Sequence, residues 1–167
     1  MLSVPMNIVI SMYDSIANPY YRGGGAIAMH EIGKRLAGKG HTVVFVCGAY
    51  HGSQNKVVDG ISYEHIGPAF GPKLAQIFFC LCVPWHVVKR RGTFDVWLEC
   101  GAILGALGLP LLTKKPVVFM GENMPARDMQ AKYHLPVAWI DRLMFRFFYN
   151  HAIVVSAEMK DYLCPSK

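Results

Sequence analysis

Short apolar runs alternate along this chain with longer stretches in which apolar positions recur every three or four residues. The first run, Asn7 to Met12 (NIVISM), is apolar on both faces, as a central parallel strand covered by helices on both sides requires. Tyr13 to Tyr21 reads as a polar and aromatic loop at that strand's carboxyl end, where ligands of open α/β sheets bind. Three glycines, Gly23, Gly24 and Gly25, then open a helical pattern. Its apolar face carries Ala28, Met29, Ile32 and Leu36, and its polar face His30, Glu31, Lys34, Arg35 and Lys39. Lys39-Gly40 ends it, a cation in the last turn and then a residue free to take positive φ. The second strand, Thr42 to Val46, follows at once, so the opening of the chain is one βαβ unit.

The pattern continues in the same alternation. Ala49 to Val57 reads as a loop, Val58-Asp59-Gly60 as a turn, and Ile61 to Ile66 as a third strand at the sheet edge. Phe70 to Arg91 reads as a long helix entered through Gly71-Pro72, with Pro84 expected to kink or divide it. Its segment Gln76 to Val88 is nearly all apolar, yet its thirteen residues fall short of the ~20 that cross a bilayer. Two readings fit: a buried core helix, or a face lying on a membrane, since Trp85 and Lys89-Arg90-Arg91 follow directly. Phe94 to Cys100 is a fourth strand, Ala102 to Leu112 a small Gly-rich helix, and Pro116 to Met120 a fifth strand leading into Gly121-Glu122-Asn123. Val137 to Asn150 is amphipathic, with Trp139, Leu143 and Phe147 assigned inward and Asp141, Arg142 and Arg146 outward. Ala152 to Val155 is a sixth strand, and Ser156 caps a last helix through Leu163 with Glu158 in its first turn. Strands alternating with helices predict an α/β fold, a parallel sheet with right-handed crossovers.

Composition narrows the class. The 167 residues make one domain with room for a core, and 53% hydrophobic against 17% charged residues exclude disorder. A formal charge of +6 permits an anionic partner: a membrane surface, a phosphorylated ligand or a nucleic acid. The Lys and Arg residues are scattered, and no basic run interleaves with aromatics, so no nucleic-acid groove is indicated. The five cysteines are odd in number and lie mostly inside apolar runs; Cys80-x-Cys82 lacks zinc-ligand spacing. With no segment resembling a signal peptide, a reducing cytoplasmic setting is expected.

The glycines are the chemical signal. Without Cβ atoms the backbone can approach a ligand closely, and the N–H groups of a helix start favour an anion. A merely flexible turn is the plainer alternative. The spacing is not G-x-G-x-x-G, the glycines lie well beyond the first strand, and no acid follows Val46-Cys47-Gly48, so a nicotinamide dinucleotide is disfavoured. A GxxxxGK[ST] phosphate loop and a GxSxG elbow are both missing.

NIVISMY, RGGGAIAMHEIGKRLAGKGHTVVFVC, VDGISYEHIG, FDVWLECG, PVVFMGEN and AIVVSAEMKDYL, in that order, resemble the N-terminal domain of family 4 glycosyltransferases of GT-B fold. The glycine loop with LAGKGHTV is the most specific piece, VVSAEMKDYL the second, and together they cover about residues 6–163. The resemblance implies a Rossmann-like parallel sheet with helices on both faces, the N-terminal half of an enzyme that transfers a hexose from a nucleotide-sugar with retention and without a metal ion. It assigns Gly23, Gly24 and Gly25 to the donor diphosphate, and Glu122 and Asn123, after the fifth strand, to the reacting centre. Many family members carry a histidine after that strand, where this chain has Gly121-Glu122-Asn123.

Tyr13 and Asp14, just past the first strand, are further ligand-contact candidates, and Glu122 has a solvent-facing loop acid as its plainer reading. His30 and His65 are expected to be packed or exposed rather than bases, His41 to fix the turn into the second strand, and Asp95 and Glu99 to be structural. The partners implied are a nucleotide-sugar, a sugar, lipid or glycan acceptor, a C-terminal donor-binding domain, and a peripheral membrane contact; no cofactor and no nucleic acid are implied. Since the sequence ends at Lys167, before any second domain, it is expected to be a piece of a longer enzyme or one subunit of a split one. A non-catalytic module that scaffolds a separate glycosyltransferase chain is the alternative.

Overall fold

A computed structural model describes residues 4–20, 23–100, 108–121, 130–131, 134 and 139–163. Among the described residues seven strands form one sheet: β1 (Asn7–Ser11), β2 (Thr42–Gly48), β3 (Lys56–Val58), β4 (Ile61–Ile66), β5 (Val96–Cys100), β6 (Val117–Gly121) and β7 (Ala152–Val154). Their spatial order is β3-β4-β2-β1-β5-β6-β7, every pairing parallel except β3 with β4. Numbering only the six parallel strands gives 3-2-1-4-5-6, the doubly wound order of Rossmann-type folds. The α/β class and the parallel sheet agree with the expectation from sequence.

Side chains alternate across this sheet and fill two cores. On one face Ile8, Ile10, Val43, Phe45, Ile61 and Leu98 pack beneath helix α1 (Gly24–Gly38). On the other, Val9, Val46, Trp97 and Phe119 pack with Phe79, Val83 and Val87 of helix α2 (Pro72–Arg90). That layer also holds a 3-10 turn (Leu109–Leu112) and helix α3 (Trp139–Phe147). Helix α4 (Ala157–Leu163) closes the described chain, and the Ser156 hydroxyl accepts the Met159 backbone N–H at 3.1 Å, so the cap is made as predicted.

Local chemistry accounts for the joints. Gly40, at φ +89°, ends α1 with its N–H on the Ala37 carbonyl, while the His41 N–H reaches Leu36. His41 is buried and its Nδ1 accepts the Met6 N–H at 3.2 Å, tying the lead-in segment to the start of β2. Asp59 (φ +51°) and Gly60 (φ +80°) form a two-residue hairpin turn with both central residues left-handed, as type I′ requires. The stretch expected to be a plain loop therefore contains β3, and β3 rather than β4 is the edge. Three residues with one exposed valine, Val57, carry little signal of their own; the Asp-Gly turn and pairing with β4 create the strand.

Two helix faces differ from expectation. In α1 the buried stripe is Ala26, Met29, His30 and Gly33; Ala28 points outward and His30 inward. Gly33 allows this, since a Cβ there would stand 3.0 Å from Ile61 Cδ1. In α3 the inward residues are Ile140, Met144 and, just past its end, Phe148, while Trp139 and Phe147 are 60% and 63% exposed. The two i, i+4 rows are neighbours on the helix and both are apolar, so periodicity alone does not choose between them. α2 continues through Pro84 without dividing. The predicted helix at Ala102 to Leu112 lies outside the described residues except for its last part, which is the 3-10 turn.

Candidate functional site

In a doubly wound sheet the crossovers on either side of β1 lead to opposite faces, which opens a crevice at the carboxyl ends of β1 and β5. The loop after β1 and the start of α1 form this rim. Gly23 is the N-cap of α1 in an extended conformation (φ −74°, ψ 159°), with no side-chain cap and no acid in the first turn. An α-helix start carries about half a positive charge and N–H groups without intrahelical partners.

None of the three glycines takes positive φ. A Cβ added at Gly24 would meet nothing within 4 Å. Neither backbone strain nor internal packing therefore demands glycine at the first position of α1, although glycine there is less favourable than alanine by up to ~1 kcal/mol. Gly33 in the same helix is the contrast, a glycine fully explained by close packing.

Asp14 stands beside this helix start: a Cβ on Gly23 would be 3.6 Å from an Asp14 carboxylate oxygen. Tyr13, its neighbour, is 7% exposed and turned into the core, edge-on to Phe79 at 5.8 Å between ring centres. The Tyr13 carbonyl accepts the Gly48 N–H at 3.0 Å, and its ring lies so close over Gly48 that no side chain fits there. Residues 13–20 are thus built rather than loose. Ser15 and Asn18 are buried, the Asn18 N–H is held by the Ser15 carbonyl, and the Asn18 side chain accepts the Tyr20 N–H at 3.0 Å.

Beneath the rim, at the junction of β1 and β5, the Ser11 hydroxyl donates to the Glu99 carboxylate and accepts the Trp97 indole N–H at 2.6 Å. All three residues are fully buried, so Glu99 is structural, as expected. Burial, aided by the Glu99 charge, pushes the Tyr149 phenol far up. On the other edge of the rim β6 ends at Gly121, where an added Cβ would stand 2.7 Å from Met159 Sδ. Glu122 and Asn123, the two residues assigned to the reacting centre, lie outside the described residues.

Histidines serve elsewhere. His30 bridges the Tyr63 hydroxyl (2.7 Å) and Asp59 (3.0 Å), and Lys34 Nζ stands 3.4 Å from the same carboxylate. This network locks α1 onto the β3–β4 hairpin, away from the carboxyl rim. The hydrogen bond from His30, then Lys34, holds Asp59 below the usual carboxylate range. Asp95 accepts the Asn7 N–H at 2.9 Å and Lys115 at 3.3 Å, a structural role as expected. Burial raises the Cys47 thiol to about 12, which suits a core thiol rather than a nucleophile. Sequence reasoning gave no role to Gly48 or Ser11; only the Ser in an otherwise apolar NIVISM run hinted at buried polar chemistry. Among the described residues no three His, Cys, Asp or Glu side chains are grouped to hold a metal ion.

The fold is a Rossmann-like domain of the kind found in GT-B glycosyltransferases. The sequence model of Glycosyltransferase Family 4 matches residues 22–166, and the chain belongs to that family. Among solved structures, sucrose-phosphate synthase from Thermosynechococcus elongatus is similar over 95% of this chain and 44% of its own (TM-score 0.65, 13% identity). The catalytic domain of starch synthase IV from Arabidopsis thaliana, bound to ADP and acarbose, is similar over 72% of this chain and 34% of its own (TM-score 0.56, 15% identity). This chain spans less than half the length of either. No curated protein sequence matches it.

Proposed function

We propose that this chain is the acceptor-side half of a retaining hexosyltransferase that uses a nucleotide-sugar donor and, with a C-terminal donor-binding domain, forms the transfer cleft at the rim described above. The observation that carries the proposal is Gly24: an exposed helix-start glycine that neither φ nor packing requires, in a family 4 chain. That starch synthase IV is bound to ADP, a nucleoside diphosphate, is in keeping with a diphosphate ligand for this class.

In the reaction, the bond from the sugar's anomeric carbon to the diphosphate breaks and a bond to an acceptor oxygen forms on the same face. The acceptor hydroxyl loses its proton and a nucleoside diphosphate leaves. The N–H groups at Gly24 and Gly25 face the departing diphosphate, where fixed dipoles act without reorganising. Asp14 is anionic and would repel that group, so its place is beside a hydroxyl of acceptor or donor sugar, as hydrogen-bond acceptor. Tyr13 contributes by anchoring the loop that carries Asp14. Glu122 and Asn123 orient hydroxyls at the reacting carbon. No metal ion or other cofactor takes part, and the setting is cytoplasmic.

The test is transfer by the complete enzyme from UDP- and GDP-hexoses, read as nucleoside diphosphate release with the product's anomeric configuration followed by NMR. Donor-dependent release with retained configuration is expected; inversion, or no release with any nucleotide-sugar, would overturn the proposal.

A further inference from the structure

Helix α2 covers one face of the sheet, yet its opposite side is also apolar. Phe79, Val83 and Val87 enter the core, while Leu74, Ile77, Leu81 and Trp85 are 51–68% exposed. These four recur at helical spacing and form one continuous stripe of about 17 Å at 1.5 Å per residue. Exposed apolar residues scattered singly need no explanation; a stripe along a helix does. α1, on the other face of the sheet, differs: among its exposed residues are Glu31, Lys34 and Arg35, with Ile27 its one exposed large hydrophobic.

The charges beside the stripe choose its occupant. Residues 72–90 contain no acid. The helix runs out in Lys89, Arg90 and Arg91; Arg90 is bound to Glu64, whereas Lys89 and Arg91 are exposed and have no ion-pair partner among the described residues. An apolar stripe that includes a tryptophan and adjoins unpaired cations matches the interface of an anionic bilayer, where the indole sits at headgroup level and the cations meet lipid phosphates. Trp139 and Phe147 of α3, in the same helix layer, are exposed as well. Among the described residues no helix is long and apolar enough to cross a membrane, so the contact is one of lying on the surface.

We infer that the outer face of α2 docks this protein on an anionic phospholipid surface. Gly67, one residue beyond β4, lies against the backbone at Phe78 and Phe79, so the first turns of α2 stand past the carboxyl end of β4.

The test is flotation of the chain with phosphatidylcholine vesicles containing 30% phosphatidylglycerol or none, without donor or acceptor, so that its outcome is independent of the transfer reaction. At least tenfold more protein should float with the anionic vesicles. Leu81→Gln combined with Trp85→Gln, both at exposed positions, should abolish that excess while leaving the melting temperature unchanged. Trp85→Gln alone should reduce a vesicle-induced blue shift of tryptophan emission. Equal flotation of wild type and double variant would overturn the inference, as would no preference for anionic vesicles. A stable dimer that the same substitutions break and vesicles do not displace would assign the stripe to a second copy instead.

Discussion

The Asp14 carboxylate and the backbone of Gly23 face each other across the mouth of the β1–α1 loop, so close that a Cβ on the glycine would lie 3.6 Å from the acid's oxygen. The acid and the helix start, which attract opposite kinds of ligand group, thus share one rim. In the complete enzyme Asp14→Asn is expected to keep the shape and lose the charge. A charge-assisted hydrogen bond to a sugar hydroxyl contributes ~1.5–3 kcal/mol, so kcat/KM should fall roughly 10- to 100-fold. Asp14 is half-buried and makes contacts within the domain, so part of the effect should appear in Tm. Steady-state kinetics and thermal melting of the same variant check both statements.

Gly48→Ala should behave in the opposite way. The Tyr13 ring occupies the space a side chain would need, and both residues belong to buried chain. Overpacking of this kind costs about 1–3 kcal/mol, a fall in Tm of roughly 3–10 °C. Calorimetric melting of the isolated chain is the measurement.

Acid should loosen the fold in the histidine range. Burial, first of all, lowers the pKa of His65 and His86 from their usual value near 6.5, with Lys56 adding to the effect at His65 and Arg90 at His86. A lowered folded pKa means that the unfolded chain binds more protons below about pH 6.5. The associated stability is therefore fully present above that pH and is lost as pH falls from 6.5 through the folded values. Tm should decline as pH falls below about 6.5, and the paired substitutions His65→Phe and His86→Phe should flatten that decline. An unchanged slope in the variant would contradict the assignment.

The isolated chain should bind nucleotide-sugars poorly, since the proposed site takes only its rim from these residues. Titration calorimetry with UDP- and GDP-glucose should show Kd weaker than ~1 mM, under about 4 kcal/mol. Micromolar binding would mean that this domain holds the donor by itself.

Much of the fold was legible because its strands are buried on both faces and therefore near-continuous in Val, Ile and Phe. The Lys39-Gly40 stop and the Ser156 cap act within a few residues of where they stand in sequence. What the residues did not reveal depends on distant partners. His30 is inward because Tyr63 and Asp59 satisfy its ring, and β3 exists because β4 lies beside it. The face of α3 was off by one row because Trp139 and Ile140 are equally apolar in sequence. At the site, the glycine loop was visible as composition, but its meaning was not. The proposed ligand-facing helix start rests on the open space around Gly24 and the negative φ of Gly23.

That distinction can be measured in one variant. Gly24→Val in the complete enzyme introduces a branched side chain where the chain itself leaves room and requires no positive φ. The domain should melt within ~3 °C of wild type, because valine is no worse than glycine in a helix. Turnover should fall by more than ~100-fold, about 2.7 kcal/mol, as close approach of the diphosphate to the helix start is blocked. Turnover within twofold of wild type, in a protein that melts normally, would contradict the claim that a ligand approaches this helix.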